Sequence, residues 1–443
     1  MRPAVASWPQ RLSGLWRLCG SSPGLGLIGL GFGSALIWAF WLHGDHRETI
    51  KFGILHALTG PMAISEKPMM EAELLAIEEI NAEGGILGQQ IEAIVADGAS
   101  DPDTFALKAD NLMERDKVAA FIGCWTSACR KTVKPVIERH QGLMLYPMAY
   151  EGLEASPNIV YTGAAPNQQI LPAVNWSSEN LGKRIFLVGS GYVWPHTVNA
   201  MIRDQAMALA AEVVGEAYIP YGGLDPSAAI KKISETHPDV IFSTVVGDSN
   251  APFYRGLKQA GINARDIPVI SFSISETELQ SLPLQDIAGH YSAWGYFQSI
   301  DRPENQDFIR RFRERYGSQR LLSDVMQTAY FSVKLWARAV TRAGTTDPDE
   351  VGLAILGMSY DAPEGIVTVD PSTRHTWRAF NIGRVNDDGS IKIIWAAQYP
   401  LRPVPYPRSR SKKDWEDFLQ NLYTGWGRKW ADPVPQTTVT GPP

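Results

Sequence analysis

From Ile50 onward the chain alternates short apolar runs with longer stretches of helical period. The apolar, β-branched runs are Ile50–Leu55, Ile91–Ala96, Val118–Ile122, Leu143–Tyr146, Arg184–Val188, Val240–Val246 and Pro268–Phe272. Between them lie amphipathic stretches such as Met69–Glu83, Asp101–Asp116, Ser127–His140, Pro195–Ala210, Ala251–Ala260 and Pro303–Tyr316. A strand apolar at nearly every position is covered on both faces, and strands separated by helices pair in parallel. The helix boundaries agree. Asp101-Pro102 reads as an N-cap with proline in the first turn, and Gly84-Gly85 and Gly261 read as stops. Pro400–Pro407, with four prolines in eight residues, closes the alternation. A basic stretch (Arg408, Arg410, Lys412, Lys413), a short helix Asp414–Tyr423 and a proline-bearing end follow.

A different pattern governs the first residues. No charged side chain occurs from Leu18 to Leu42, and Gly24–Leu42 is almost wholly apolar. Nineteen helical residues span about 28 Å, close to the ~30 Å hydrocarbon core of a bilayer. Arg2, Arg11 and Arg17 precede the run and no acid does, which orients the N-terminus to the cytoplasm and exports the rest. The reading is an uncleaved anchor over 24–43 after a cytoplasmic segment 1–23. A cleaved signal peptide competes, but the run is long for one and ends without a small-x-small site. Gly24, Gly26 and Gly29 match a dinucleotide fingerprint only formally, because no strand precedes them and no βαβ unit follows.

Composition narrows the class. The chain has 443 residues, 44% of them hydrophobic and 20% charged, which excludes a disordered polymer. A net charge of −6 argues against nucleic acid as a partner. The alternating region exceeds one comfortable core, so two α/β lobes are expected. Three cysteines are too few for a disulfide scaffold, and the pairing of Cys124 with Cys129 is left open.

Ligands of open parallel sheets bind beyond the carboxyl ends of the strands. Four such ends carry polar and aromatic chemistry. They are Gly123-Cys-Trp125-Thr126-Ser127, Tyr146-Pro-Met-Ala-Tyr150-Glu, Gly189-Ser-Gly-Tyr192-Val-Trp194 and Gly247-Asp248-Ser-Asn250. Asp248 is placed to accept from an amide NH2 group, or else to cap the following helix. Thr126 and Ser127 are placed to donate to a carbonyl, with Ser127 alternatively the cap of its own helix. Trp125, Tyr146, Tyr192 and Trp194 are placed to sandwich a small planar group. Tyr150 and Trp194 serve equally as packing. The eight histidines show no HxH or HExxH spacing and no GxSxG elbow occurs, so neither a metal, a cofactor nor a catalytic nucleophile is expected.

Several longer stretches carry a resemblance. They are GILHALTGPMAISE (53–66), AIEEINAEGGILGQQIE (76–92), IGCWTSACRK (122–131), YEGLEASPNIVYTGAAPNQQ (150–169), GDSN (247–250), YFQSIDRPEN (296–305) and DAPEG (361–365). Over about 50–407 the chain resembles the type I periplasmic binding proteins, in particular those of urea ABC importers and their short-chain amide-binding relatives. The resemblance implies two doubly wound lobes joined by three crossovers, with ligand in the cleft between them. Lobe I is expected to comprise 49–168 and 295–362, lobe II 169–294 and 363–400, and the tail 401–443. Hinges are expected near Gln168–Leu171, Trp294–Phe297 and Ala362–Gly365. The resemblance further implies that Trp125, Ser127, Tyr146, Tyr192 and Asp248 line the cleft.

The expected function is therefore capture of urea or a short amide outside the cytoplasm for an ABC permease, with the N-terminal helix as membrane tether. A receptor that reports the same ligand to a signalling partner is the alternative. An amidohydrolase is disfavoured by the missing nucleophile and metal spacing.

Overall fold

The computed structural model describes residues 48–432. The expected anchor over 24–43 lies outside the described residues. Among those described, no helix is long and apolar enough to cross a membrane.

The first sheet contains β1 (Ile50–His56), β2 (Ile91–Asp97), β3 (Ala120–Gly123), β4 (Met144–Tyr146) and β5 (Ile159–Tyr161), in the order β2-β1-β3-β4-β5. All of its pairings are parallel. Phe52, Gly53, Ile54 and Leu55 of β1 are buried without alternation, as a strand sandwiched between helices requires. The Ala63–Ala82 and Asp324–Ala343 helices pack together on this sheet, and Trp336 lies 4.5 Å from the Phe52 ring.

The second sheet begins with β6 (Arg184–Ser190), β7 (Glu212–Ile219), β8 (Val240–Thr244), β9 (Val269–Ser271) and β10 (Tyr291–Trp294), all parallel. The chain then returns to the first lobe and forms a small antiparallel sheet of β11 (Ser359–Ala362), β12 (Gly365–Val369) and β13 (Thr376–Trp377). It ends as β14 (Asn381–Val385) and β15 (Ile391–Ala396), which add to β10 antiparallel, giving the order β15-β14-β10-β9-β8-β6-β7. The second sheet is thus mixed rather than wholly parallel.

The chain passes between the sheets at 162–169, 295–302 and 378–380. The third passage differs from the expected one. Ala362 and Gly365 pair with each other across the turn of the β11–β12 hairpin, and Tyr161 of β5 bridges to His375. Residues 363–377 therefore extend the first sheet's side, and the boundary moves from 362/363 to the 378–380 passage.

The tail is part of the body, not an appendage. Its helix, Lys412–Gly425, buries Trp415 completely, and Arg410 makes two 2.8 Å bonds to Asp204 of the Val193–Ala208 helix. Pro405 accepts from Leu153 N–H at 2.9 Å on the first lobe, and Trp430 accepts from Val193 N–H at 3.0 Å on the second.

Candidate functional site

The carboxyl ends of both sheets face each other across a closed cleft. Ser65 donates to Glu278 at 2.9 Å and Asp248 N–H donates to Pro61 at 3.3 Å, each across the two lobes. Gly247 permits this approach. Its φ is +60°, and a Cβ there would stand 2.5 Å from the Pro61 carbonyl oxygen.

Within the cleft lies a cavity of about 10 Å³, lined by Trp125, Ser127, Met148, Ala149, Tyr192, Trp194, Phe272, Ser273 and Trp294. Five chain segments supply these residues: the loops after β3, β4, β6 and β9, and the last residue of β10. The lining is aromatic, with Met148, Ala149 and two serines besides and no charged side chain among the described residues. Trp194 is 5% exposed, and its indole Nε1 is buried with no hydrogen-bond partner among the described residues. The Trp294 indole, by contrast, donates to the Ile274 carbonyl at 2.7 Å. Ser273 donates its hydroxyl to the Val245 carbonyl.

Under the cavity floor sits a buried ionic cluster. Arg130, fully buried, donates to Ser127 Oγ at 3.0 Å, to Glu151 at 2.8 Å and to Glu154 at 3.1 Å. Its guanidinium lies 4.8 Å from the Tyr146 ring centroid and 4.3 Å from that of Tyr150. Burial would lower the Arg130 pKa, but the Glu151 and Glu154 carboxylates outweigh it and hold the charge. Burial raises Glu154, yet Arg130 and Lys131 prevail and bring it down to about 2. A buried charge balanced in this way is costly to disturb.

The sequence-predicted residues divide accordingly. Trp125, Ser127, Tyr192 and Trp194 line the cavity. Thr126 is the N-cap of the Ser127–Arg139 helix, its Oγ1 accepting from Cys129 N–H at 3.1 Å. Tyr146 and Tyr150 lie beneath the lining. Tyr146 donates to the Trp125 carbonyl at 2.9 Å, and the Tyr150 hydroxyl meets His375 Nε2 at 2.5 Å. Asp248 requires a correction. It is exposed in the 3-10 turn Gly247–Ser249, outside the cavity, because that turn packs its backbone on Pro61 and leaves the side chain in solvent.

Met148, Ala149, Phe272, Ser273 and Trp294 were not anticipated. Phe272 closes an apolar run read as a strand, so its strand-end position was the available signal. Arg130 was missed as well, although it stands three residues after Ser127 on one helix face. Cys124 and Cys129 form a disulfide that brackets Trp125, Thr126 and Ser127. Among the described residues, no group of histidine, cysteine or carboxylate side chains is arranged to hold a metal ion.

Known proteins share this architecture. The chain is 24% identical over 353 residues to the leucine-, isoleucine-, valine-, threonine-, and alanine-binding protein of Pseudomonas aeruginosa, covering 76% of this chain and 90% of that one. A limonene hydroxylase of Geobacillus stearothermophilus is 33% identical over 118 residues, which are 27% of this chain and only 22% of that protein. Among solved structures, a solute binding protein of an ABC transporter from Rhodopseudomonas palustris BisB5, in complex with 3,4-dihydroxybenzoic acid, superposes with a TM-score of 0.73. It is 22% identical and covers 81% of this chain and 99% of its own. Residues 50–412 match the periplasmic binding protein domain, from the first strand to the start of the C-terminal helix. A match of that extent takes in both sheets and all three passages between them, and the chain belongs to the periplasmic binding protein family.

Proposed function

We propose that the protein captures a small neutral amide, urea or a short-chain relative, and presents it to an ABC-type importer on the extracytoplasmic side. The observation that carries this reading is the cavity itself: about 10 Å³, walled by aromatic rings, with the unpartnered Trp194 N–H buried at its edge. A single water needs about 10–15 Å³ by this measure, and benzene fits an engineered cavity of about 150 Å³. The lining as it stands admits about one water, so even urea, with four heavy atoms, enters only as the walls part, and each larger ligand needs them to part further. The Trp194 N–H offers a donor to a carbonyl, and the Ser127 and Ser273 oxygens offer acceptors to amino groups. No cationic side chain lines the cavity to clamp a carboxylate, so the amino-acid and benzoate ligands of the relatives named above are poor matches.

Residues 24–43 are read as a membrane tether that keeps the binding body near its permease. Hinge closure between open and closed forms is read at the three passages between the sheets.

Tryptophan emission tests the ligand reading, since Trp125, Trp194 and Trp294 all line the cavity. Titration with urea, acetamide or formamide is expected to change emission saturably. A flat response to all three would defeat the reading.

A further inference from the structure

Glu151 lies outside the cavity, is fully buried, and takes the hydroxyl of cavity-lining Ser127 as a hydrogen-bond donor. Its other oxygen accepts from Arg130 Nη2 at 2.8 Å, with Lys131 Nζ at 3.6 Å. Arg130 Nη1 also donates to Ser127 Oγ, at 3.0 Å. Tyr146 also lies within hydrogen-bonding reach of Ser127, but the Glu151 carboxylate is the stronger acceptor for the Ser127 proton. A guanidinium only donates and an ionised carboxylate only accepts. The Ser127 proton then points at Glu151, and one Ser127 lone pair is spent on Arg130. Tyr146, the neighbouring hydroxyl, has its proton committed to the Trp125 carbonyl at 2.9 Å. What Ser127 retains for the cavity is a lone pair and no proton.

We propose that Glu151 is a positioning residue that fixes the polarity of the ligand site through Ser127, so that this wall of the cavity accepts only a ligand N–H. The proposal rests on the small-amide reading above and deepens it. Ser127 then discriminates between an amino group and a methyl or oxygen of the same size. The discrimination is created by a residue the ligand never touches.

Glu151→Gln makes the idea testable because the surroundings dictate how the introduced amide must sit. Arg130 Nη2 and Lys131 require an acceptor, so the amide oxygen stays on their side and the amide nitrogen faces Ser127. Ser127 must then accept from both the introduced amide and Arg130, and its own proton turns into the cavity. A ligand amino group meets a donor instead of an acceptor. Such a buried mismatch is worth roughly ten- to hundredfold in affinity.

The test is a double-mutant cycle read by calorimetric titration of urea into the full-length protein. Glu151→Gln is expected to weaken urea binding at least about tenfold where Ser127 is present, and less than about twofold in a Ser127→Ala background. Equal losses in both backgrounds would overturn the positioning role while leaving the amide reading standing. Absence of urea and short-amide binding by the unaltered protein would overturn both. Should Glu151→Gln fail to fold, Ser127→Ala alone decides, with urea compared against acetone, its planar isostere without N–H groups. A loss of about tenfold for urea with none for acetone supports the proposal. An equal change for both overturns it.

Discussion

Arg378 Nε donates to both carboxylate oxygens of Glu364, at 2.8 and 2.9 Å, and both residues are buried. The same guanidinium donates to the Thr162 carbonyl at 3.0 Å and to Asp324 at 2.8 Å. Thr162 opens the first passage between the sheets, Arg378 begins the third, and Asp324 begins the Asp324–Ala343 helix of the first lobe. One cation thus ties the first and third passages to the β11–β12 hairpin and to the Asp324–Ala343 helix.

Removing Glu364 leaves the buried Arg378 with Asp324 as its one carboxylate partner. Because Asp324 still balances the guanidinium, Glu364→Ala is expected to cost about 2–3 kcal/mol, read as a lowered midpoint in guanidinium chloride. The partly exposed pair of Arg302 with Asp361, at 2.6 Å, provides the contrast. Arg302→Ala is expected to cost no more than about 1 kcal/mol. Similar costs for the two variants would refute the clasp interpretation.

Trp194 and Asp248 exchange the importance that sequence reasoning would assign them. Trp194→Phe keeps a ring but removes the unpartnered indole N–H, and should weaken ligand binding roughly two- to twelvefold. Asp248→Ala alters an exposed carboxylate and should change affinity less than about twofold. Titrations of both variants check this pair of outcomes.

His56 sits between two buried carboxylates, 3.0 Å from Glu66 and 2.8 Å from Glu73. Burial alone would lower its pKa from the ordinary 6.5, but Glu73 and Glu66 prevail and hold it up to about 10. A folded pKa above the unfolded one stabilises the protein fully below about pH 6.5, and that stabilisation is lost as pH rises toward about 10. The melting temperature should therefore fall across this window. His56→Gln should flatten the decline, and parallel slopes for the two proteins would show that His56 is not the titrating group.

Much of this architecture was legible because buried parallel strands announce themselves as unbroken apolar runs. Ile50–His56 and Val240–Thr244 are buried at almost every position and were readable directly. Glu212–Ile219 was not, because a half-exposed edge strand has no such run. The hairpin at Ala362–Gly365 was read as a hinge because a turn and a crossover interrupt the alternation in the same way. Of the residues read at strand ends, Trp125, Ser127, Tyr192 and Trp194 line the cavity. Asp248 shared that place but not the orientation, since a single 3-10 turn against Pro61 faces its carboxylate outward. The polarity of Ser127 was beyond sequence reasoning, because it depends on Arg130 and Glu151 meeting beneath it.

On the proposed function the cleft takes a small neutral amide rather than the larger carboxylate-bearing ligands named for relatives of the same fold. Calorimetric titration of the purified protein with urea, acetamide, leucine and benzoate tests it most directly. The expected result is saturable binding of urea or acetamide at one ligand per chain, with no heat from leucine or benzoate. Saturable binding of leucine or benzoate, with urea and acetamide silent, would contradict it.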